Sequence, residues 1–253
     1  RARVDVVEGS HSDPDVVDRA FRDAVQLFWL VPAEDTASGV YSAYVDFTIP
    51  AADAIVRNSV RRVVTISALG RGLQLYSGYA SASHAMEDLL RSTGAHLRAL
   101  TMPSFMDNLL WQVGAMKSAG AFFSPISGVR SMPSVATRDI ADRASRFLLD
   151  DTWVGQDSVG VLGPEDLSFD DMAATISEVV GTPIRFQQIA AAAYRDGFLT
   201  RGYSLAMAQG MLDMALAKDR GLDNGLSRTP ENTTPTTFRR WCEDTLLPAF
   251  RAL

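Results

Sequence analysis

Apolar residues fall first in short unbroken runs and then at helical spacing, and the two patterns alternate along the first half of the chain. Val4-Asp5-Val6-Val7-Glu8-Gly9 predicts a short strand closed by glycine, and Asp13-Pro14-Asp15 opens a helix carrying Val16, Val17, Ala20 and Phe21. Leu27-Phe28-Trp29-Leu30-Val31-Pro32 is a continuous apolar run ended by proline, the pattern of a strand buried on both faces of a parallel sheet. A helical pattern between about 45 and 59 carries Phe47, Ile49, Ala52, Ile55 and Val56, with Pro50 limiting where the regular helix begins. Val63-Val64-Thr65-Ile66 is the next buried strand. Ser83 is the expected N-cap of a helix through Met86, Leu89 and Leu90 that stops at Gly94, and Leu97 to Met102 resumes the strand pattern up to Pro103.

Beyond residue 120 the pattern loosens into loops around Pro125, Gly128 and Pro133. A helix follows from near Thr137 with Ile140, Ala144, Phe147 and Leu148, then a short strand from Val159 to Pro164. Ser168 and Asp171 form an N-terminal box for a helix stopped by Gly181; Ile184 to Phe186 is a further strand, and the rest is mainly helical. Alternating strand and helix with short links predicts right-handed crossovers and an α/β fold. The expected architecture is a Rossmann-like parallel sheet with helices on both faces, residues 1–120, followed by remaining strands and a small, mostly helical substrate-binding part, residues 121–253.

Composition narrows the partners. A length of 253 residues and 47% hydrophobic content supply a sizeable core, and the formal charge of −6 with interspersed arginines argues against a nucleic-acid binder. Cys242 is the single cysteine, so no intramolecular disulfide forms, and no stretch approaches a membrane span or signal peptide. A cytoplasmic protein, monomeric or homodimeric, is expected. Three histidines and one cysteine offer no metal-ligand spacing, and no G-x-S-x-G elbow is present.

Ligands of an open parallel sheet bind beyond the carboxyl ends of its strands, which directs attention to Gly9-Ser10, Val31-Pro32, Ser67-Ala68-Leu69 and Met102-Pro103-Ser104-Phe105. Small residues and prolines there admit a flat ligand against the backbone, although turn chemistry selects them too. The glycine loop of a dinucleotide site is absent. Gly70-Arg71-Gly72 is the one G-x-G, in a loop after a late strand, and is a poor phosphate site. His84, at the start of a helix facing the sheet's carboxyl edge, is either a proton donor or a solvent-facing first-turn residue. Glu87, one turn on, is expected on the helix surface. Tyr76 and Tyr79 lack the lysine of a Tyr-x-x-x-Lys pair, and Met207, Met211 and Met214 lie at core-like helical spacing.

Several stretches together resemble the NmrA-like family of atypical short-chain dehydrogenases/reductases: Val6 to Gly9 with the Asp13 helix, Val63 to Ser67, Glu87 to Gly94, Met102 to Asn108, Ala136 to Ala141 and Val161 to Ser168. The resemblance implies a Rossmann fold binding NADP or NAD, and reduction of a quinone, azo or carbonyl compound. It assigns cofactor contact to Ser10, Val31, Pro32, Ser67, Ala68, Pro103 and Phe105. It places the candidate catalytic His84 where relatives carry Lys or His, and substrate contact at Leu69, Tyr79 and Asn108. Met102 stands where relatives carry an arginine before the proline. The family's first strand, glycine loop, first helix and second strand are expected before Arg1, so the chain is expected to begin partway along a longer protein, and the cofactor assignment is conditional on that loop. Two alternatives remain: a dinucleotide-sensing or partner-binding protein without chemistry, and a cofactor-independent isomerase or cyclase if the chain is naturally short.

Overall fold

The computed structural model describes residues 4–32 and 34–252. Along the chain, α1 (Pro14–Phe21), β1 (Gln26–Trp29), α2 (Phe47–Arg57), β2 (Arg62–Ala68), α3 (Tyr79–Ser92) and β3 (His96–Met102) alternate. There follow β4 (Ser104–Phe105), α4 (Val113–Ala119), β5 (Ala121–Ser124), β6 (Met132–Val135), α5 (Thr137–Leu149), β7 (Gln156–Gly160), β8 (Asp166–Leu167), α6 (Phe169–Val180) and β9 (Arg185–Gln188). Helices α7 (Ala191–Thr200), α8 (Leu205–Asp219), α9 (Phe238–Trp241) and α10 (Leu247–Ala252) complete the described chain. The main sheet is parallel throughout, in the order β1-β2-β3-β7. Two smaller sheets, β4-β6-β8 and β5-β9, are separate from it.

Side-chain alternation explains how both faces are covered. Val63, Leu97 and Ala99 pack with Val17, Ile55, Met86 and Leu90 of α1, α2 and α3. Val64, Leu100 and Met102 turn the other way onto Ile140 and Ala144 of α5 and onto Trp153. A strand buried on both faces reads as an uninterrupted apolar run, and Val63-Val64 is one, each fully buried. The capping box at α6 forms as expected: Asp171 N–H donates to Ser168 Oγ at 3.1 Å and Ser168 N–H donates to the Asp171 carboxylate at 3.0 Å.

Four sequence expectations are corrected. Residues 4–8 form no strand; Val4 and Val6 are 76% and 80% exposed, and an apolar run pairs only when a neighbouring edge is offered to it. β1 is the outer strand of its sheet, with no partner on its far side among the described residues, so Phe28 and Leu30 stand exposed rather than buried on both faces. α3 begins at Tyr79, not after Ser83, because Gly78 (φ 53°) lies so close to the Gly210 backbone that it has no room for a Cβ. Finally, α2 runs through Pro50. The turn before it is widened to a π-helix over Ser42–Asp46, and the Thr48 hydroxyl donates to the Tyr44 carbonyl at 2.7 Å, covering an acceptor near the amide that proline lacks.

The Thr48 hydroxyl also accepts from Trp29 Nε1 at 3.1 Å, joining β1 to α2 through one buried atom. Replacing Thr48 by Val leaves the indole N–H and the Tyr44 carbonyl without that partner. Urea denaturation of this variant is expected to show a loss of about 1–3 kcal/mol; a change within error of zero would contradict the account.

Candidate active site

The parallel register brings the strand ends to one level. Ala68 pairs with Met102, and the Leu69 N–H continues the ladder by donating to the Met102 carbonyl at 3.3 Å. Thr65 pairs with Trp29, so Val31-Pro32 leaves β1 alongside Ser67-Ala68. Val161 N–H donates to the Thr101 carbonyl at 2.9 Å, adding the β7 exit to the row. Of the residues expected to contact a cofactor, Ser67 and Pro103 are buried, Val31, Ala68 and Phe105 half-buried, and Pro32 and Ser10 exposed. The Ser10 hydroxyl lies 2.8 Å from the Ser12 hydroxyl and not on the row, while its neighbour His11 has Nε2 3.2 Å from the Leu30 carbonyl, which only accepts, so Nε2–H donates there. The His11 ring stands edge-on to Trp29 and Phe47. An open cleft of about 440 Å³ at this end includes Ser12, Thr36, Ser42, Asp46 and Phe47 in its lining. A second cleft, of about 290 Å³, lies at the opposite, amino ends of β2 and β3.

His84 faces the row. Its Nε2 is 2.9 Å from the Ala68 carbonyl, which only accepts, so Nε2–H donates there and Nδ1 is the ring nitrogen turned away from that bond. Beneath it sits Glu87, which the sequence pattern alone puts on the helix surface. Glu87 is fully buried, because one carboxylate gathers donors from three elements. Ser67 Oγ donates at 2.7 Å, Arg91 Nη2 at 2.7 Å, Arg91 Nε at 3.0 Å and Ser158 Oγ at 2.9 Å. Arg71 Nη2 adds an ion pair at 3.2 Å. Burial pushes the Glu87 carboxyl pKa up, but the hydrogen bonds from Ser67 and Arg91 and the Arg71 charge outweigh it, and the net shift is downward from 4.5. Local spacing offered only the i, i+4 match of Glu87 with Arg91 as a signal for this cluster; Ser67, Arg71 and Ser158 are brought in by the fold.

The remaining candidates lie further from the row. Leu69 is buried beside it. Tyr79 is buried with Val40, Ala43, Ala82 and Met207, its ring edge-on to Tyr44 at 5.9 Å, and its hydroxyl has no hydrogen-bond partner among the described residues. Burial raises its pKa strongly. Asn108 is exposed on the 3₁₀ segment Met106–Gln112. Lys218, which sits in no sequence motif, forms a buried ion pair with Asp223 beside the Leu222 side chain that closes over Gly70. Cys242 is buried and its thiol pKa is pushed up to about 12, so it is no nucleophile. No group of His, Cys, Asp and Glu among the described residues is arranged to hold a metal ion, and no helix among them is long and apolar enough to cross a membrane.

No family model matches the chain. It is 26% identical over 244 residues, 94% of this chain and 82% of the relative, to a (4-alkanoyl-5-oxo-2,5-dihydrofuran-3-yl)methyl phosphate reductase of Streptomyces griseus. It is 30% identical over 130 residues, 51% of this chain and 45% of the relative, to an NAD(P)H azoreductase of Xenophilus azovorans. Among solved structures, the triphenylmethane reductase of a Citrobacter species complexed with NADP(H) superposes with a TM-score of 0.77 at 16% identity, covering 94% of this chain and 82% of that one. A mutant NmrA superposes with a TM-score of 0.65 at 13% identity, covering 94% and 79%. These likenesses show a shared fold.

The Glu87 cluster makes stability depend on acid. With its folded pKa below the unfolded value of 4.5, Glu87 contributes stability that is fully present above pH 4.5 and lost as pH falls through the folded pKa. Glu87→Gln is expected to be less stable than the parent at neutral pH, and the gap is expected to narrow as the pH drops below 4.5. Parallel denaturation curves at pH 7 and at pH 3 to 4 check this; a gap independent of pH would contradict it.

Proposed function

On a chain whose fold is that of the NmrA-like atypical short-chain dehydrogenases/reductases, we propose an NAD(P)H-dependent reductase of a small hydrophobic acceptor such as a quinone, azo or carbonyl compound. The observation that carries this reading is the level row of strand ends, Val31, Ser67-Ala68-Leu69 and Met102-Pro103, whose uncharged and mostly small side chains leave a floor for a flat ring. The reductase relative aligned along 94% of the chain supports it.

The residues fit the nicotinamide half of the cofactor. Val31, Pro32, Ser67, Ala68, Pro103 and Phe105 would hold the nicotinamide and its ribose, with Ser10 at the far end. When bound, the cofactor supplies a hydride. The pyrophosphate half needs backbone N–H groups from a glycine loop, and residues 1–253 contain no such loop after a strand. Gly70-Arg71-Gly72 does not replace it, since Arg71 turns onto Glu87, Asp88 and the His84 carbonyl.

His84 is assigned the proton. With Nε2 donating to Ala68, Nδ1 is the atom that takes a proton from water and passes it to the reduced acceptor. The Ser67 hydroxyl orients the floor and does not donate to ligand, because its hydrogen is given to Glu87. That internal satisfaction favours, as a second reading, a dinucleotide sensor that keeps the floor without turnover. The particle is taken as a monomer or homodimer.

Fluorescence titration with NADPH and NADH, followed by quinone turnover, tests the reading. Saturable binding and cofactor oxidation are expected, with His84→Ala lowering kcat by about 10²-fold while leaving cofactor affinity in place. Binding without turnover would leave the sensor; no binding of either nucleotide would sink both.

A further inference from the structure

The loop between Gly70 and Gly78 rims the strand-end floor, and its two ends are held by different means. At the far end, Gly78 is pressed against the Gly210 backbone of α8. In the middle, Leu75 packs on Ala80, Ala217 and Leu222. Leu73 and Tyr76 face solvent, 50% and 55% exposed, as apolar side chains on the rim. At the near end, the chain reverses through Gly70 (φ 88°) and Gly72 (φ 89°), conformations that L side chains rarely adopt. The residue between them is Arg71.

That double glycine turn points the Arg71 side chain back onto α3. Nη1 donates to Asp88 at 2.8 Å, Nη2 donates to the His84 carbonyl at 3.0 Å, and the same Nη2 lies 3.2 Å from the buried Glu87 carboxylate. One planar guanidinium therefore touches the residue after His84's first turn, the backbone of His84 and the carboxylate that holds Ser67. A guanidinium presents its donors in a fixed fork, which a lysine ammonium does not reproduce.

We propose that Arg71 is a positioning residue, a latch that holds the 70–78 rim against α3 and so sets where Leu73 and Tyr76 meet the acceptor. This rests on the reductase reading of the floor. The latch acts on the acceptor side: the floor is set by the β2–β3 ladder, in which Ala68 pairs with Met102 without any contact to Arg71. It is also distinct from a fold-stabilising ion pair, since Arg71 is 36% exposed and Glu87 keeps Arg91, Ser67 and Ser158 without it.

The test compares Arg71→Met and Arg71→Lys with the parent protein. Arg71→Met is expected to raise the quinone KM about fivefold, the scale of one partly exposed ion pair, with NADPH affinity unchanged and the melting temperature lowered only slightly, since Glu87 keeps Arg91, Ser67 and Ser158. Arg71→Lys is expected to fall between, because it restores one charge contact and not the fork. Amide hydrogen exchange of residues 70–78 is expected to quicken about tenfold in Arg71→Met, with β2 and β3 unaffected. An unchanged KM, or equal losses in cofactor affinity, KM and melting temperature, would overturn the latch. If the parent protein turns over no acceptor, the reductase reading fails, and the exchange data still decide: faster exchange confined to 70–78 keeps the latch, and unaltered exchange removes it.

Discussion

The seven-pair parallel ladder from Arg62 opposite His96 to Ala68 opposite Met102 is the constraint on which the rest of the molecule depends. Side chains alternate along a strand, so this register decides at once which residues meet α3 and which meet α5. Val63, Thr65 and Ser67 fall on one face, Val64 and Ile66 on the other. A slip of one residue would turn Ser67 away from Glu87 and place Val64 against α3. The same register delivers Leu69 and Pro103 at one height, which is what makes the carboxyl edge a floor.

Glu87 is then best understood through what it connects. A charge in the α3–sheet layer loses hydration, and a buried ion pair often contributes no more stability than well-packed apolar side chains of the same volume. Its arrangement is accounted for by geometry: Ser67 on β2 and Ser158 on β7 stand on either side of β3, and one carboxylate accepting from both spans three strands. Ala99, paired with both Thr65 and Ser158, is the small β3 residue at that level. Arg91 neutralises the charge from the same helix, and Arg71 carries the connection outward to the rim. Floor, helix and rim thus share one buried group.

What the sequence made legible follows from how local each signal is. β2 and β3 were readable because a doubly buried strand is an apolar run, and the Ser168/Asp171 box and the Gly94 and Gly181 stops because capping involves residues within one turn. The row of strand ends was readable too, since it needs only strand boundaries. The expected surface place of Glu87 fails because its partners at 67, 71 and 158 are remote in sequence. The start of α3 was misplaced for the same reason: Ser83 is a good local cap, but the close approach of Gly78 to Gly210, over a hundred residues away, begins the helix a turn earlier. Residues 4–8 show the converse, an apolar run whose pairing depends on an edge that no local pattern reveals.

A division of labour between floor and rim follows from these contacts. The floor is made from main-chain atoms and small side chains whose positions the ladder dictates, so it discriminates poorly between flat ligands of similar thickness. The rim is made from Leu73 and Tyr76, exposed side chains on a loop held by glycine turns at both ends and by Arg71 between them. Changing a rim side chain leaves the ladder untouched, whereas changing Ser67 or Ala99 disturbs the layer beneath. On the proposed reductase reading, acceptor choice would therefore belong to the rim, and the strength of the hold on the rim would decide how sharply that choice is made.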